Sequence, residues 1–240
     1  FQTAMNINQS LQLPMIVLEH TLPIPSWPQE HLQQFQHMIG NINVFISEYS
    51  QKAWSINAPS KVIYHSIDTD LFCPGEGERK KQALTVTHDF IKRDYALNYT
   101  GWKRITEGLE TRVVGDTPGL SEQSESVEAL VKEYQDSLVY INTSTLSPIP
   151  TSMLEAMACG CAIVTTENCM IPEVIKHGQN GFMSNNEVEL RGYIQKLFDE
   201  PQLAEKMGAC ARETIKEKFS EDRFVREWND IFNNTYEVMK

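Results

Sequence analysis

Short apolar runs alternate with stretches of helical period along this chain. Pro14-Met15-Ile16-Val17-Leu18 has the length and character of a buried strand, ending at Glu19-His20-Thr21. A turn rich in proline follows at Pro23, Pro25 and Pro28, then a helix is expected over about residues 29–39, stopped by Gly40. Asn43-Val44-Phe45-Ile46 reads as the next strand, residues 47–54 as a short helix, and Lys61-Val62-Ile63-Tyr64 as the strand that closes an α, β, α, β, α, β series over residues 1–64. A second series predicts strands near 83–87, 111–115, 138–142 and 161–165, with helices near 95–109, 125–135, 152–159, 187–199 and 201–218. Alternation of this kind indicates an α/β fold with mostly parallel sheets flanked by helices. The last segment carries a helical stripe of Phe224, Trp228, Ile231, Phe232 and Met239, which packs as core.

Composition narrows the classes. A chain of 240 residues can bury one large core or two modest ones, and 41% hydrophobic with 22% charged residues is ordinary for a globular protein. No apolar run approaches the roughly 18 residues that span a bilayer, so no transmembrane segment is expected. A net charge of −11 argues against a nucleic-acid surface while leaving room for a local basic pocket. The first residue is Phe rather than Met, so the natural N-terminus is expected to lie upstream. Five cysteines without paired spacing fit a reducing compartment, and a cytoplasmic location, with or without peripheral membrane contact, is expected. Cys159, Cys161 and Cys169 could be drawn as a metal site, but small apolar packing around a helix-to-strand turn is the preferred reading. Of four Asn-x-Ser/Thr sequons, at Asn8, Asn98, Asn142 and Asn233, the one at Asn142 ends a buried strand and is incidental.

The stretch from Ser147 to Thr166 carries the most chemistry. It reads as a loop with Pro148 and Pro150, a short helix, a stop at Gly160 and a buried strand. Because Leu138–Asn142 precedes it, the loop and helix N-terminus fall at the carboxyl end of a strand, where open α/β sheets place ligands. A helix N-terminus offers free N–H groups and the positive end of the dipole to a phosphate. Ser152-Met153-Leu154-Glu155 also spells a capping box, in which Glu155 would bond back to the Ser152 amide.

Glu155-Ala156-Met157-Ala158-Cys159-Gly160, Ile171-Pro172-Glu173-Val174-Ile175 and His177-Gly178-Gln179-Asn180-Gly181-Phe182 together resemble the donor-site motif of the retaining glycosyltransferases of family 4, enzymes of the GT-B fold. That motif has an acidic residue eight positions before the second one; here the position holds Ser147. His65-Ser66-Ile67-Asp68-Thr69-Asp70-Leu71-Phe72-Cys73-Pro74 resembles the family's interdomain linker, with His65-Ser66 in place of Asn-Gly. The resemblance covers residues 13–239. It implies two Rossmann-like parallel-sheet domains facing a cleft, the first one incomplete. Residues 1–64 would be the later part of an acceptor-side domain, 65–82 the linker and 83–220 the donor domain. Residues 221–240 would be a helix packing back towards the first domain.

The resemblance also assigns roles. Glu155 would accept hydrogen bonds from adjacent ribose hydroxyls, against the capping-box alternative. Ser147 would face the donor sugar with neutral hydrogen bonds where the family uses a carboxylate. The amides of Ile149, Thr151, Ser152 and Met153 would face sugar and phosphates, since Pro148 and Pro150 have none to give. Lys92 and Arg93, after the strand that runs into Thr87-His88-Asp89, would grip the diphosphate, with Arg93 better suited to bidentate contact. Gly115, in Val113-Val114-Gly115-Asp116, would border the base, and His20 would face the donor from the first domain. Glu173 would begin a helix. The implied reaction moves a sugar from a nucleotide-diphosphate sugar to an unidentified carbohydrate, lipid or protein acceptor, with retention. It needs no metal and no cofactor, so Asp68-Thr69-Asp70 reads as a turn. A non-catalytic nucleotide-sugar-binding module is the alternative that Ser147 motivates; a GT-B-like epimerase is a further one.

Overall fold

Among the described residues the strands form two sheets, parallel in every pairing. The computed structural model describes residues 6–7, 10–11, 13–23, 27–28, 30 and 40–237, so the helix expected over 29–39 falls outside the described residues except for Glu30, and Met239 falls outside them too. Contacts divide the chain into two units, residues 1–66 with 221–240, and residues 67–220.

In the first unit, β1 (Ile16–Glu19), β2 (Ile42–Phe45) and β3 (Ser60–Val62) pair in the order β1-β2-β3. Helix α1 (Glu48–Trp54) begins at a reciprocal cap, with the Ser50 amide donating to Ser47 Oγ at 2.9 Å and the Ser47 amide to Ser50 Oγ at 3.2 Å.

The second unit follows the expected alternation closely. Its elements are β4 (Lys80–Val86), α2 (Asp94–Leu97), α3 (Tyr99–Thr106), β5 (Thr111–Val114), α4 (Val127–Asp136) and β6 (Ser137–Asn142). After these come α5 (Thr151–Ala158), β7 (Ala162–Thr165), α6 (Ile171–Val174), β8 (Phe182–Met183), α7 (Glu187–Asp199) and α8 (Pro201–Lys218). The strand order is β5-β4-β6-β7-β8. All six residues of β6 are buried, which is why it reads as a continuous apolar run. Ala83, Val139, Ile141, Ala162 and Val164 from the strands pack with Leu190, Ile194, Leu197, Ala204 and Met207 from α7 and α8.

Three departures from expectation occur in this unit. Strand β4 starts at Lys80, so the polar stretch read as linker to residue 82 gives up its last three residues. Gln82 is buried there and donates to Ser137 Oγ at 2.9 Å. The helix expected over 95–109 breaks at Asn98, whose φ of 55° ends α2 while its side chain accepts the Gly101 amide and starts α3. The two-residue β8 is too short to show any periodicity.

Loop carbonyls are gathered by arginines. Arg79 donates to the carbonyls of Tyr134, Ser137 and Cys159, and Arg212 to those of Thr69, Phe72 and Ala158, satisfying acceptors at the C-terminal ends of α4 and α5 and in the turn at 69–72. The Asp68-Thr69-Asp70 segment is a turn in which Asp68 Oδ1 accepts the amides of Asp70 and Leu71 at 3.0 Å each. The last helix, α9 (Glu221–Glu237), belongs to the first unit, where Ile231 packs with Val44 and Ile63 beside Phe224 and Trp228.

Candidate functional site

Strand order locates the site before any side chain does. From β4 the chain moves outward to β5, then returns to place β6 on the other side of β4. The direction of winding therefore reverses between β4 and β6, and a crevice opens at the carboxyl ends of such a pair. A cleft of about 240 Å³ lies there, lined by Thr85–Thr87 from the end of β4 and by Asn142–Ser144 from the end of β6. Arg93, Ser147, Ile149, Pro150 and Ser152 complete its walls. The structure thus brings four of the residues singled out in the sequence, Arg93, Ser147, Ile149 and Ser152, to one place.

Its floor is a connected polar network. Thr85 Oγ1 donates to the Ile141 carbonyl at 3.1 Å and accepts Trp102 Nε1 at 3.0 Å. Asn142 Nδ2 donates to Thr165 Oγ1, and Ser144 Oγ to Asn142 Oδ1. Thr143 Oγ1 reaches back to the Leu97 carbonyl, fixing the end of β6 to α2. A network satisfied in this way is rigid, as a binding surface requires.

Arg93 stands apart from the other arginines. Among residues 67–220, all described, Arg79, Arg104, Arg112, Arg191 and Arg212 donate to carbonyls or carboxylates. The exposed Arg93 guanidinium makes no hydrogen bond or ion pair with any described residue. Lys92 is also exposed but is not part of the cleft wall.

Helix α5 supplies the other wall, and here the capping box is corrected. The N-cap position is Pro150, with no side-chain cap, so Ser152 already lies inside the helix. Its hydroxyl is 2.7 Å from Tyr140 Oη and donates to the Val86 carbonyl at 2.9 Å. Glu155 does not bond back to Ser152; its Oε2 accepts the Tyr134 hydroxyl at 2.7 Å. Burial pushes the Glu155 carboxyl up, and the Tyr134 hydrogen bond opposes that rise. Glu155 is half-buried and lies one turn below the cleft wall. The first amides of the helix, Thr151 and Ser152, have no intrahelical acceptor, whereas the Met153 amide is committed to the Pro150 carbonyl at 2.9 Å. The Met153 side chain is fully buried, so this residue serves the core. Gly160, at φ 78°, ends the helix in the left-handed conformation its stop position demands.

The remaining candidates lie elsewhere. Gly115, at φ 125°, sits where a Cβ would come within 1.9 Å of the Thr87 carbonyl oxygen, so glycine lets the ends of β4 and β5 approach. It is outside the cleft lining. His20 follows β1 in the first unit, its ring stacked on His65 with centroids 5.9 Å apart. Burial, with the His20 charge second, lowers the His65 pKa. Glu173 is inside the one-turn α6. Among the described residues no group of three His, Cys, Asp or Glu side chains could hold a metal ion. Cys159 and Cys161 are buried in the core, and burial pushes the Cys161 thiol up to about 11. Tyr134, Tyr140 and Thr85 are the site residues that sequence reasoning missed; each reads as an ordinary apolar-face residue until α4, α5 and β4 are packed together.

Residues 120–214 match the family described as glycosyl transferases group 1. An N-acetyl-alpha-D-glucosaminyl L-malate synthase from Bacillus anthracis is 32% identical over 90 residues, 37% of this chain and 23% of that protein. An alpha-maltose-1-phosphate synthase from Mycolicibacterium smegmatis is 30% identical over 110 residues, 42% of this chain and 27% of that protein. The aligned region therefore spans about a quarter of the length of these relatives. Among solved structures, a sucrose-phosphate synthase from Thermosynechococcus elongatus superimposes with a TM-score of 0.83 over 98% of this chain and 71% of its own, at 13% identity. Anabaena HepE, crystallised with UDP and glucose, gives 0.79 over 94% and 73%, at 16% identity. Among the described residues no helix is long and apolar enough to cross a membrane. The chain has the two-sheet α/β fold of the GT-B glycosyltransferases, and its residues 120–214 are similar to the glycosyl transferases group 1 family.

Proposed function

We propose that this chain is the donor-binding part of a family 4 glycosyltransferase that moves a hexosyl or related sugar, with retention, from a nucleotide-diphosphate sugar to a carbohydrate, lipid or protein acceptor. The observation that carries this reading is the unpartnered Arg93 guanidinium. It lines the same cleft as Ser147 and Ser152, beside the free amides that open α5. A diphosphate leaving group takes the electron pair of the bond from the anomeric carbon, and a cation with helix N–H groups stabilises the charge it gains. Those groups can take the place of a metal, so the reading is metal-independent. That HepE was crystallised with UDP supports a nucleotide on this fold. Residues 83–220 would be the donor domain, residues 1–64 the later part of an acceptor-side domain and 65–82 the linker. The free cysteines suit a cytoplasmic enzyme.

The test is a thermal-shift screen of UDP, GDP and ADP and their glucose and N-acetylglucosamine conjugates, followed by an assay for nucleoside diphosphate release. A ligand at 100 times its dissociation constant adds about 2.7 kcal/mol of stability, a shift of several degrees. A melting temperature unmoved by every nucleoside diphosphate would sink the reading. Binding without release, with or without sugar acceptors, would favour the non-catalytic module that the uncharged Ser147 motivates.

A further inference from the structure

Glu155 is held in a way that its neighbours in sequence do not explain. Its Oε2 accepts the hydroxyl of Tyr134, a residue with no exposed surface. The Tyr134 ring is itself fixed, edge-on to Phe72 and tilted against Tyr140, each with centroids 6.2 Å away. Its carbonyl is held by Arg79 and by the Cys161 thiol. The other carboxylate oxygen, Oε1, has no hydrogen-bond partner among the described residues, and it is not among the buried atoms left unsatisfied, so it reaches solvent. One oxygen is pinned from inside the fold and the other presented outward as an acceptor.

We propose that Tyr134 is a positioning residue for the nucleotide: by fixing Glu155 Oε2 it aims Oε1 at a ribose hydroxyl of the donor. This deepens, and rests on, the reading of the chain as a nucleotide-sugar binder. A carboxylate free to rotate would spend binding energy on its own ordering, and a locked one does not. The same bond has a second effect. It opposes the burial that raises the Glu155 carboxyl, so removing it lets that carboxyl take up a proton at higher pH. A protonated carboxyl is a weaker acceptor for the ribose hydroxyl.

The test uses Tyr134→Phe, which deletes only the hydroxyl, and Glu155→Gln. Calorimetry measures the affinities of UDP, ADP and GDP and of their 2′-deoxy counterparts. The ratio of ribo to deoxy affinity cancels the titration of the phosphates. The whole chain is expected to prefer its ribonucleotide by about tenfold or more, as a hydrogen bond to a charged group allows. In Tyr134→Phe that preference falls to within about threefold at neutral pH, and the pH below which the preference is lost moves upward. A role in folding alone would weaken both nucleotides equally and leave the ratio and its pH dependence in place. If Glu155→Gln abolishes the preference while Tyr134→Phe keeps it, Glu155 acts unaided and the positioning role is wrong. If Glu155→Gln leaves the preference intact, or the unaltered chain binds none of the nucleotides, the ribose reading falls and this inference with it.

Discussion

Arg93→Ala separates binding from folding more cleanly than any other single change in this chain. Its guanidinium makes no hydrogen bond or ion pair with any described residue and is exposed, so its removal is expected to alter stability by no more than about 0.5 kcal/mol. Binding should respond quite differently. At an effective dielectric near 20, a unit charge pair at about 4 Å is worth about 4 kcal/mol before desolvation and side-chain ordering are subtracted. Arg93 is exposed, so only part of that survives, and a net loss of about 1.5–3 kcal/mol is expected. That corresponds to roughly 10- to 150-fold weaker binding of the nucleoside diphosphate. Calorimetry at low and at high sodium chloride should show the affinity of the unaltered chain falling more steeply with salt than that of the variant. Arg93→Lys should recover part of the charge effect without the bidentate geometry. An affinity for the diphosphate unchanged within a factor of two, or a stability loss beyond about 1 kcal/mol, would refute the assignment. The guanidinium would then be a solvated surface group in the first case and a structural one in the second.

Three further changes test the framework of the second unit. Gly115→Ala puts a Cβ within 1.9 Å of the Thr87 carbonyl at a φ of 125°, and urea melts should show a loss of at least about 3 kcal/mol; a loss below about 1 would mean the strand ends separate easily. Ser152→Ala strands the buried Tyr140 hydroxyl and should cost about 1–3 kcal/mol. A double-mutant cycle with Tyr140→Phe should give a coupling of at least about 0.5 kcal/mol, whereas additivity would return Ser152 to a helix-end role. Asn180→Leu removes the bonds to the Lys176 amide, the Val174 carbonyl and Thr214 Oγ1 from a buried site, so thermal melts should show a loss of roughly 2–4 kcal/mol; near-neutrality would show that the loop holds without them.

The α/β class was legible because buried parallel strands must be short and apolar, and residues 138–142 and 161–165 stand out on that ground alone. Helix extents were legible too: α1 falls within the expected 47–54, and the predicted bounds of α7 and α8 fall where the structure has them. What escaped notice is of two kinds, one local and one set by partners far away in sequence. The break at Asn98 is a conformational choice within an otherwise helical pattern. The capping-box spelling at Ser152 failed because Val86 and Tyr140, 66 and 12 positions distant, claim its hydroxyl. Local spelling predicts a local bond only when nothing in the tertiary fold competes for the same atom.

The same competition explains why α5 can serve a ligand edge at all. Met153, Leu154, Ala156, Met157 and Ala158 are fully buried, so the rotation of this short helix is set by packing on all but a narrow strip. Ser152 and Glu155, three positions apart, lie on that strip, and their side chains are drawn inward by Tyr140 and Tyr134. The polar residues of the helix are thereby fixed by the core and not by the cap. A donor held at its N-terminus would meet amides and a carboxylate oxygen whose positions were settled when the domain folded. The loop before it has no such anchor in Ser147, which lines the cleft without a hydrogen bond to any described residue. Substitutions at Ser147 should therefore alter which sugar is accepted with little effect on stability. At Tyr134 and Tyr140, binding and stability should change together, because the groups that orient the ligand edge are also the core.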